Sequence, residues 1–329
     1  MFSKKSFSKA LLVTAIAASC VAPASAAVFS GTLYYTNFTG GQNVNKVIYS
    51  YDDSTQTFNL GAATNVASTN GADGIIFAPN GNLLIGGQGS GNVYEVNPNN
   101  GSLVNTQFTG NASFHLTLNP NGNSVYTSDF GGALHTLPLP IGSGSATQAI
   151  SGSEGGLTQI TFGDNGSIFY VNGNPNGFGN LGTIDLSTGV TTRLYSSVQP
   201  AHGLIYDPFT DLITMFGAGQ TGTMNATNGS GLLTSGGIFQ VGDFDQGAVD
   251  GKGHALVAGS GAITFIDYSI SHDITHPDFT TTRFGFSGID DVAPLVGAGS
   301  NTNPVPEPGT LALLGLGLAG LYLNRRKQA

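Results

Sequence analysis

The chain has 329 residues, with 10 Lys and Arg against 19 Asp and Glu, a formal net charge of −9 and a single cysteine. Between Ala27 and Pro306 only Lys46, Arg193, Lys252 and Arg283 face 18 carboxylates, which excludes nucleic acid and anionic lipid surfaces as partners of that stretch. Its 50 glycines, with Asn, Thr and Ser throughout and few residues that favour helices at helical spacing, point to strands and tight turns.

Residues 1–26 read as a signal peptide. Lys4, Lys5 and Lys9 form a basic start, residues 10–18 are apolar, and Ala24-Ser25-Ala26 supplies the small residues that a signal peptidase reads. A lipoprotein would need Cys20 as its acylated first residue, but the residue three before it is Ala17 rather than Leu. With cleavage after Ala26 the exported chain has no thiol, so disulfides and thiolate chemistry are excluded.

From residue 27 to residue 297 one plan recurs: a short apolar strand, a turn of the Pro-Asn-Gly or Asp-Asn-Gly type, and a second apolar strand. It appears at Gly71–Gly87, Phe114–Asp129, Leu157–Gly173, Ala201–Gly217 and Gln246–Ser260. The last strand residues before each turn are Phe77, Leu118, Phe162, Tyr206 and Val249, at steps of 41, 44, 44 and 43. A sixth mark falls at Val292, and its missing second half is found at Gly31–Phe58, near the other end of the chain. Asn-Gly pairs at Asn80-Gly81, Asn100-Gly101, Asn121-Gly122 and Asn165-Gly166 fit hairpin turns.

This period predicts an all-β, six-bladed β-propeller whose last blade is shared by both ends of the repeat region. It is too long for the rungs of a β-helix, and closure leaves no long open sheet edge. A β-sandwich is the other alternative. Gly217–Gly237 reads as a long loop inserted in the fourth repeat, and residues 298–304 as a linker. The stretch at 74–85, Gly-Ile-Ile-Phe-Ala-Pro-Asn-Gly-Asn-Leu-Leu-Ile, resembles the strand-turn-strand signature of NHL-type propellers, of the gluconolactonase and regucalcin group, and of the streptogramin lyases. That resemblance implies blade geometry and says little about chemistry.

Residues that open the first strand of each repeat should face a central channel. They are Asp73, His115, Gln159, His202, Gln246 and Asp290, with Asp291 beside the last. Imidazoles and carboxylates converging there can hold a divalent metal such as Ca2+ or Mg2+, or bind sugar hydroxyls; polar side chains in a water-filled channel are the plainer reading. No cofactor is assigned. Ala201-His202-Gly203 resembles the opening of streptogramin lyase repeats, whose chemistry uses a His with a Glu and Mg2+. Here Glu95 lies on an outer-strand segment and Glu154 in a Ser/Gly loop, so neither is placed as a base. The Glu and Asn metal set of the gluconolactonase group is also not evident.

Asp243–Gly251 and Asn172–Gly177 carry spaced oxygen donors but lack the full Ca2+ loop with its terminal Glu, and read as Asx-rich turns. His254, His272 and His276 read as surface or turn residues. No nucleophile elbow, phosphate loop or His-Glu-x-x-His occurs.

Residues 305–329 have three parts: Pro306-Glu307-Pro308, an apolar run from Thr310 to Leu323, and the basic Arg325, Arg326 and Lys327. This order resembles the PEP-CTERM sorting signal of Gram-negative bacteria. The resemblance implies that an exosortase cuts near the triplet, and it ties the chain to extracellular polysaccharide and biofilm matrix. The apolar run predicts a single hydrophobic transmembrane helix that enters the inner membrane transiently, with the basic residues on the cytoplasmic side. At 14 residues it would span about 21 Å, against about 30 Å of hydrocarbon.

Together these features predict an exported, non-enzymatic module at the cell surface or in the exopolysaccharide matrix. The alternative is a metal-dependent lyase or lactonase at the channel mouth, using His115 and His202 with Asp73 or Asp290.

Overall fold

A computed structural model describes residues 28–38, 41–142, 148–174, 177–235, 245–293 and 295. The described residues form 23 strands and no helix. The chain opens with β1 (Val28–Asn37), β2 (Gly41–Asp52), β3 (Thr57–Leu60) and β4 (Thr64–Thr69). Four groups of four follow. They are β5 (Ile75–Phe77), β6 (Leu83–Gly86), β7 (Asn92–Val96) and β8 (Leu103–Phe108); β9 (Leu116–Leu118), β10 (Ser124–Ser128), β11 (Ala133–Pro138) and β12 (Gln148–Ser151); β13 (Gln159–Phe162), β14 (Ile168–Val171), β15 (Gly179–Ile184) and β16 (Thr191–Val198); and β17 (Gly203–Asp207), β18 (Leu212–Gly217), β19 (Gln220–Asn225) and β20 (Leu233–Thr234). The last are β21 (Gly247–Val249), β22 (His254–Asp267) and β23 (Phe279–Val292).

Two compact units are distinguished by their contacts. Of the described residues, 28–29 and 51–57 belong to the smaller unit and the rest to the larger. In the smaller unit, Asp52 Oδ1 accepts hydrogen bonds from the Ser54 amide (3.0 Å) and hydroxyl (2.7 Å), an Asx turn.

Within the larger unit each group of four strands is one antiparallel sheet, and the remaining strands join a seven-stranded sheet ordered β21-β22-β23-β1-β2-β3, with β4 paired to β2. In the four separate sheets the innermost strands are three to five residues long and mostly apolar; in β5, Ile75, Ile76 and Phe77 are all buried. Outer strands are more exposed, as in β8, where Leu103 and Val104 face solvent together with polar neighbours. Five buried clusters glue successive sheets. Ile76 and Leu84 meet Val125 and Leu137, Tyr126 meets Ile160 and Tyr170, and Phe169 meets Leu204 and Met215. Phe216 then meets Val257 and Ile266, and Tyr34 and Val44 meet Ile75 and Leu83. The ring of sheets is thereby closed, and the inner strands β5, β9, β13, β17, β21 and β23 neighbour one another in turn. At the seam β1 pairs antiparallel with β23, Tyr35 opposite Val292 and Asn37 opposite Ile289.

Several sequence expectations are corrected here. Four sheets stand alone, and the strands of the fifth repeat and the seam share one sheet. Within that sheet β22 folds back on itself, with the Tyr268 amide donating to Gly253 O at 2.7 Å, and β23 carries the chain from the fifth repeat to the seam, pairing with β22 through Phe279–Phe284 and with β1 through Ile289 and Val292. The stretch expected as an inserted loop at 217–237 supplies β19 and β20, the outer strands of its sheet. His254 is buried at 3% exposure instead of lying at the surface, and its Nδ1 meets Asp250 Oδ2 at 2.7 Å. His272 and His276 are exposed, as expected.

The C-terminal hydrophobic helix, and with it the transmembrane helix and transient inner-membrane anchoring, is withdrawn. No helix among the described residues is long and apolar enough to cross a membrane. The apolar run itself is short for the task and carries Gly315, Gly317 and Gly320, each of which costs a helix about 1 kcal/mol relative to Ala. The expected signal peptide, linker and sorting tail lie outside the described residues.

Candidate functional site

The residues expected at the channel are brought together at the entry ends of the inner strands. Asp73 precedes β5 by two residues, while His115, His202 and Gln246 directly precede β9, β17 and β21. Gln159 is the first residue of β13, and Asp290 and Asp291 lie near the end of β23. All seven are buried, at 0–8% exposure. The ladders extend to hold them: the Asp73 amide donates to Gly86 O at 2.8 Å and the His202 amide to Phe216 O at 2.9 Å. The glycine after each of these two residues permits the close approach of the next inner strand. A Cβ on Gly74 would lie 2.7 Å from His115 Cα, and one on Gly203 would lie 2.2 Å from Asp245 O.

His115 Nε2 is the hub of the cluster. It lies 3.8 Å from Asp73 Oδ1, 3.7 Å from Asp245 Oδ1 and 3.5 Å from Asp291 Oδ2. His202 Nε2 contacts Asp245 Oδ1 directly, while its Nδ1 faces Gly173 O at 2.6 Å. The two imidazoles meet edge to face with centroids 4.8 Å apart. Phe130, held at φ 55°, presents its ring to both, 5.2 Å from His115 and 5.7 Å from His202. A left-handed Phe is a strained backbone position of the kind that gathers at functional sites.

Polar satisfaction in the cluster is uneven. Gln159 Oε1 accepts from the Leu204 amide at 2.6 Å, which ties β13 to β17, and Asp73 Oδ1 accepts from the Gly74 amide at 3.0 Å. By contrast His115 Nδ1, Gln246 Oε1, Asp290 Oδ2 and both carboxylate oxygens of Asp291 are buried with no hydrogen bond of normal geometry. Buried polar atoms are nearly always paired, so this concentration calls for an explanation.

Electrostatics follow from burial. It pushes the Asp290 and Asp291 carboxyls well above the usual range, with Asp73 and Asp245 adding repulsion, and it raises Asp73 against the pull of His115. Burial acts the same way on Asp245, but His202 and His115 override it and hold that carboxyl far below its ordinary value. His202 mirrors this: burial disfavours its charged form, and Asp245 more than compensates, so its pKa is raised.

Asp245 is the residue that sequence reasoning missed. It lay within a stretch read as an Asx-rich turn, next to Gln246, which already filled the expected register. The signal available was adjacency alone. Asp291 was visible only as the neighbour of Asp290, yet it is the one whose oxygen approaches His115. The two glutamates are engaged elsewhere. Glu95 accepts from three asparagine amides, and Glu154 binds Tyr170, Asn180 and Arg193.

At the opposite ends of the same inner strands lies a pocket of about 370 Å³, lined by Phe77, Leu118, Phe162 and Tyr206, the period marks of four repeats. Gln159 and Gln246 also line it.

Residues 304–327 match the PEP-CTERM protein-sorting motif. No curated protein matches the chain in sequence. Among solved structures, a chain of a nidogen/laminin complex is similar with a TM-score of 0.59 at 11% identity, over 80% of this chain and 97% of that one. A catalytically inactive virginiamycin B lyase from Staphylococcus aureus with quinupristin is similar with a TM-score of 0.50 at 10% identity, over 78% of this chain and 87% of that one. At these identities the likeness shows the fold alone, a β-propeller.

Proposed function

We propose that this exported β-propeller, which carries the PEP-CTERM sorting motif at residues 304–327, is processed by an exosortase at Pro306-Glu307-Pro308 and works at the cell surface as a binding or structural module of the exopolysaccharide matrix. The observation that carries the proposal is the sorting motif, which sets the destination. The body is compatible with that destination. Its outer strands are rich in Thr, Asn and Ser, it has few cations, and ring closure removes the long open edges that would promote aggregation outside the cell. Hydroxyl and amide side chains on exposed strands suit hydrogen bonding to hydrated sugar polymers.

Two measurements test it. The processed chain should co-sediment with extracellular polysaccharide from the producing culture and not with an unrelated neutral glucan of similar size; no difference between the two polymers would remove the matrix role. Intact-mass measurement should show Glu307→Ala still full length, because the triplet is where the sorting enzyme reads the tail. Normal processing of that variant would refute sorting at this site.

The convergence of His115, His202 and Asp245 favours a second reading, a metal-dependent lyase or lactonase. Against it stands the engagement of both glutamates in hydrogen bonds away from the cluster, which leaves Asp73, Asp290 and Asp291 as the carboxyls available for proton transfer. Turnover of a lactone or of a uronic-acid polymer that is lost in His202→Gln would establish this reading over the first.

A further inference from the structure

We propose that the ring of inner strands encloses a site for one divalent transition-metal ion, built on His115 with Asp73, Asp245 and Asp291 and with His202 as the second nitrogen donor. This site concerns the ion alone, and it stands whether or not the matrix or the catalytic reading holds.

Spacing is the first argument. The three carboxylate oxygens lie 3.5–3.8 Å from His115 Nε2, beyond the 2.7–3.2 Å of an N–H···O bond. Four ligands about 2.1 Å from a tetrahedral ion are separated from one another by about 3.4 Å. The three gaps around His115 therefore match the separation of ligands about one ion, whereas His202 Nε2 touches Asp245 Oδ1 and joins the shell only by parting from it. Donor atoms of His115, His202 and Asp245 lie within 4.8 Å of one another, and so do those of Asp73, His115 and Asp291.

The second argument is independent of the clustering. Asp291 has 0% exposure, and neither of its carboxylate oxygens has a hydrogen bond of normal geometry, although the Gln246 backbone amide favours its charged form. A structural carboxylate buried to this degree would ordinarily be satisfied, because leaving it unpaired carries the full cost of desolvation. Asp291 Oδ2 is also aimed at the His115 hub. Charge points the same way: four buried carboxyls, Asp73, Asp245, Asp290 and Asp291, face two imidazoles. A dication supplies the missing positive charge.

Orientation adds detail. The Gly173 carbonyl against His202 Nδ1 directs Nε2 inward, the backbone support that metal-binding imidazoles commonly have. His115 lacks such a partner at Nδ1, and its ring is held by the edges of Phe130 and His202 instead. The donor set also selects the ion. Ca2+ and Mg2+ prefer all-oxygen shells, whereas two imidazoles with carboxylates suit Zn2+, Mn2+, Fe2+ or Co2+. A nitrogen-accepting ion thus takes the place of the Ca2+ or Mg2+ expected from the sequence.

The test uses the full exported chain, stripped with chelator and titrated separately with Zn2+, Mn2+, Co2+ and Ca2+, with elemental analysis of the bound fraction. About one transition-metal ion per chain is expected, with Ca2+ at least about tenfold weaker. His115→Gln and His202→Gln should each weaken binding by more than about tenfold, while His276→Gln, at an exposed turn, should leave it unchanged. The proposal is overturned if no transition ion binds more tightly than about 10 μM, if Ca2+ binds better than all of them, or if both histidine variants keep the wild-type affinity. Should a variant fail to fold, the wild-type thermal midpoint with and without Zn2+ decides, since an ion bound only by the folded chain must raise it.

Discussion

Replacing Glu95 by Gln tests whether a charged side chain can be structural in this fold. Glu95 sits on β7 at 2% exposure, and its Oε1 accepts from Asn80 Nδ2 at 2.9 Å and Asn82 Nδ2 at 2.6 Å, while Oε2 accepts from Asn105 Nδ2 at 3.1 Å. It thus clamps the β5–β6 turn and the outer strand β8 to one carboxylate. Hydrogen bonds to a charged group are worth about 1.5–3 kcal/mol each. A Gln in its place can accept through one oxygen only and turns its own amide toward the remaining donor. Losing one charged bond and weakening two should therefore cost about 2–4 kcal/mol of unfolding free energy at neutral pH. Urea denaturation followed by circular dichroism measures this directly.

Acidity supplies a second reading of the same clamp. Burial acts to raise the Glu95 pKa, but the three amides together override it and leave the pKa below its ordinary value. A group whose pKa is depressed on folding contributes stability above its unfolded pKa, about 4.3 for Glu, and loses it as pH falls through the lower folded value. The gap between wild type and Glu95→Gln should consequently close on acidification. A gap under about 0.5 kcal/mol at neutral pH, or one unchanged from neutral to strongly acidic conditions, would refute the clamp.

Other substitutions probe separate parts of the fold. Phe265, 2% exposed, stacks between Phe58 at 4.7 Å and His254 at 5.6 Å, so Phe265→Ala should cost about 3–5 kcal/mol in the same denaturation assay. Tyr268 donates to the buried Asp207 at 2.9 Å, and Tyr268→Phe should cost about 1–3 kcal/mol by leaving a carboxylate oxygen short of a donor. Gly81 and Gly101 both follow Asn with positive φ, but a Cβ on Gly81 meets nothing within 4 Å while one on Gly101 would lie 1.9 Å from Val66 O. Gly81→Ala should therefore show only the left-handed penalty of about 1–2 kcal/mol, and Gly101→Ala a clearly larger loss; equal losses would mean that β4 gives way easily.

The candidate site was legible in part. Asp73, His115, Gln159, His202, Gln246 and Asp290 share a register, and a register repeated around a closed ring must converge on one region. What the register did not reveal is which members interact. Gln159 is consumed by the Leu204 amide, whereas Asp245, one position off the register, contacts His202. Side chains from adjacent positions can reach the same volume when inner strands approach as closely as Gly74 and Gly203 allow. His254 shows the opposite error: turn chemistry around Asp250 was readable, but its burial was not.

Local chemistry determined the all-β character, the repeat and the positions of its turns, because strand alternation and Asn-Gly turns are encoded within a few residues of one another. The sorting motif at 304–327 is likewise a linear signal. Tertiary structure alone decided that β22 and β23 merge two repeats into one seven-stranded sheet, that identical Asn-Gly pairs differ in their tolerance of a side chain, and that Asp291 faces His115. Each of these depends on which strands lie side by side, and residues 35 and 292 become neighbours only when the ring closes.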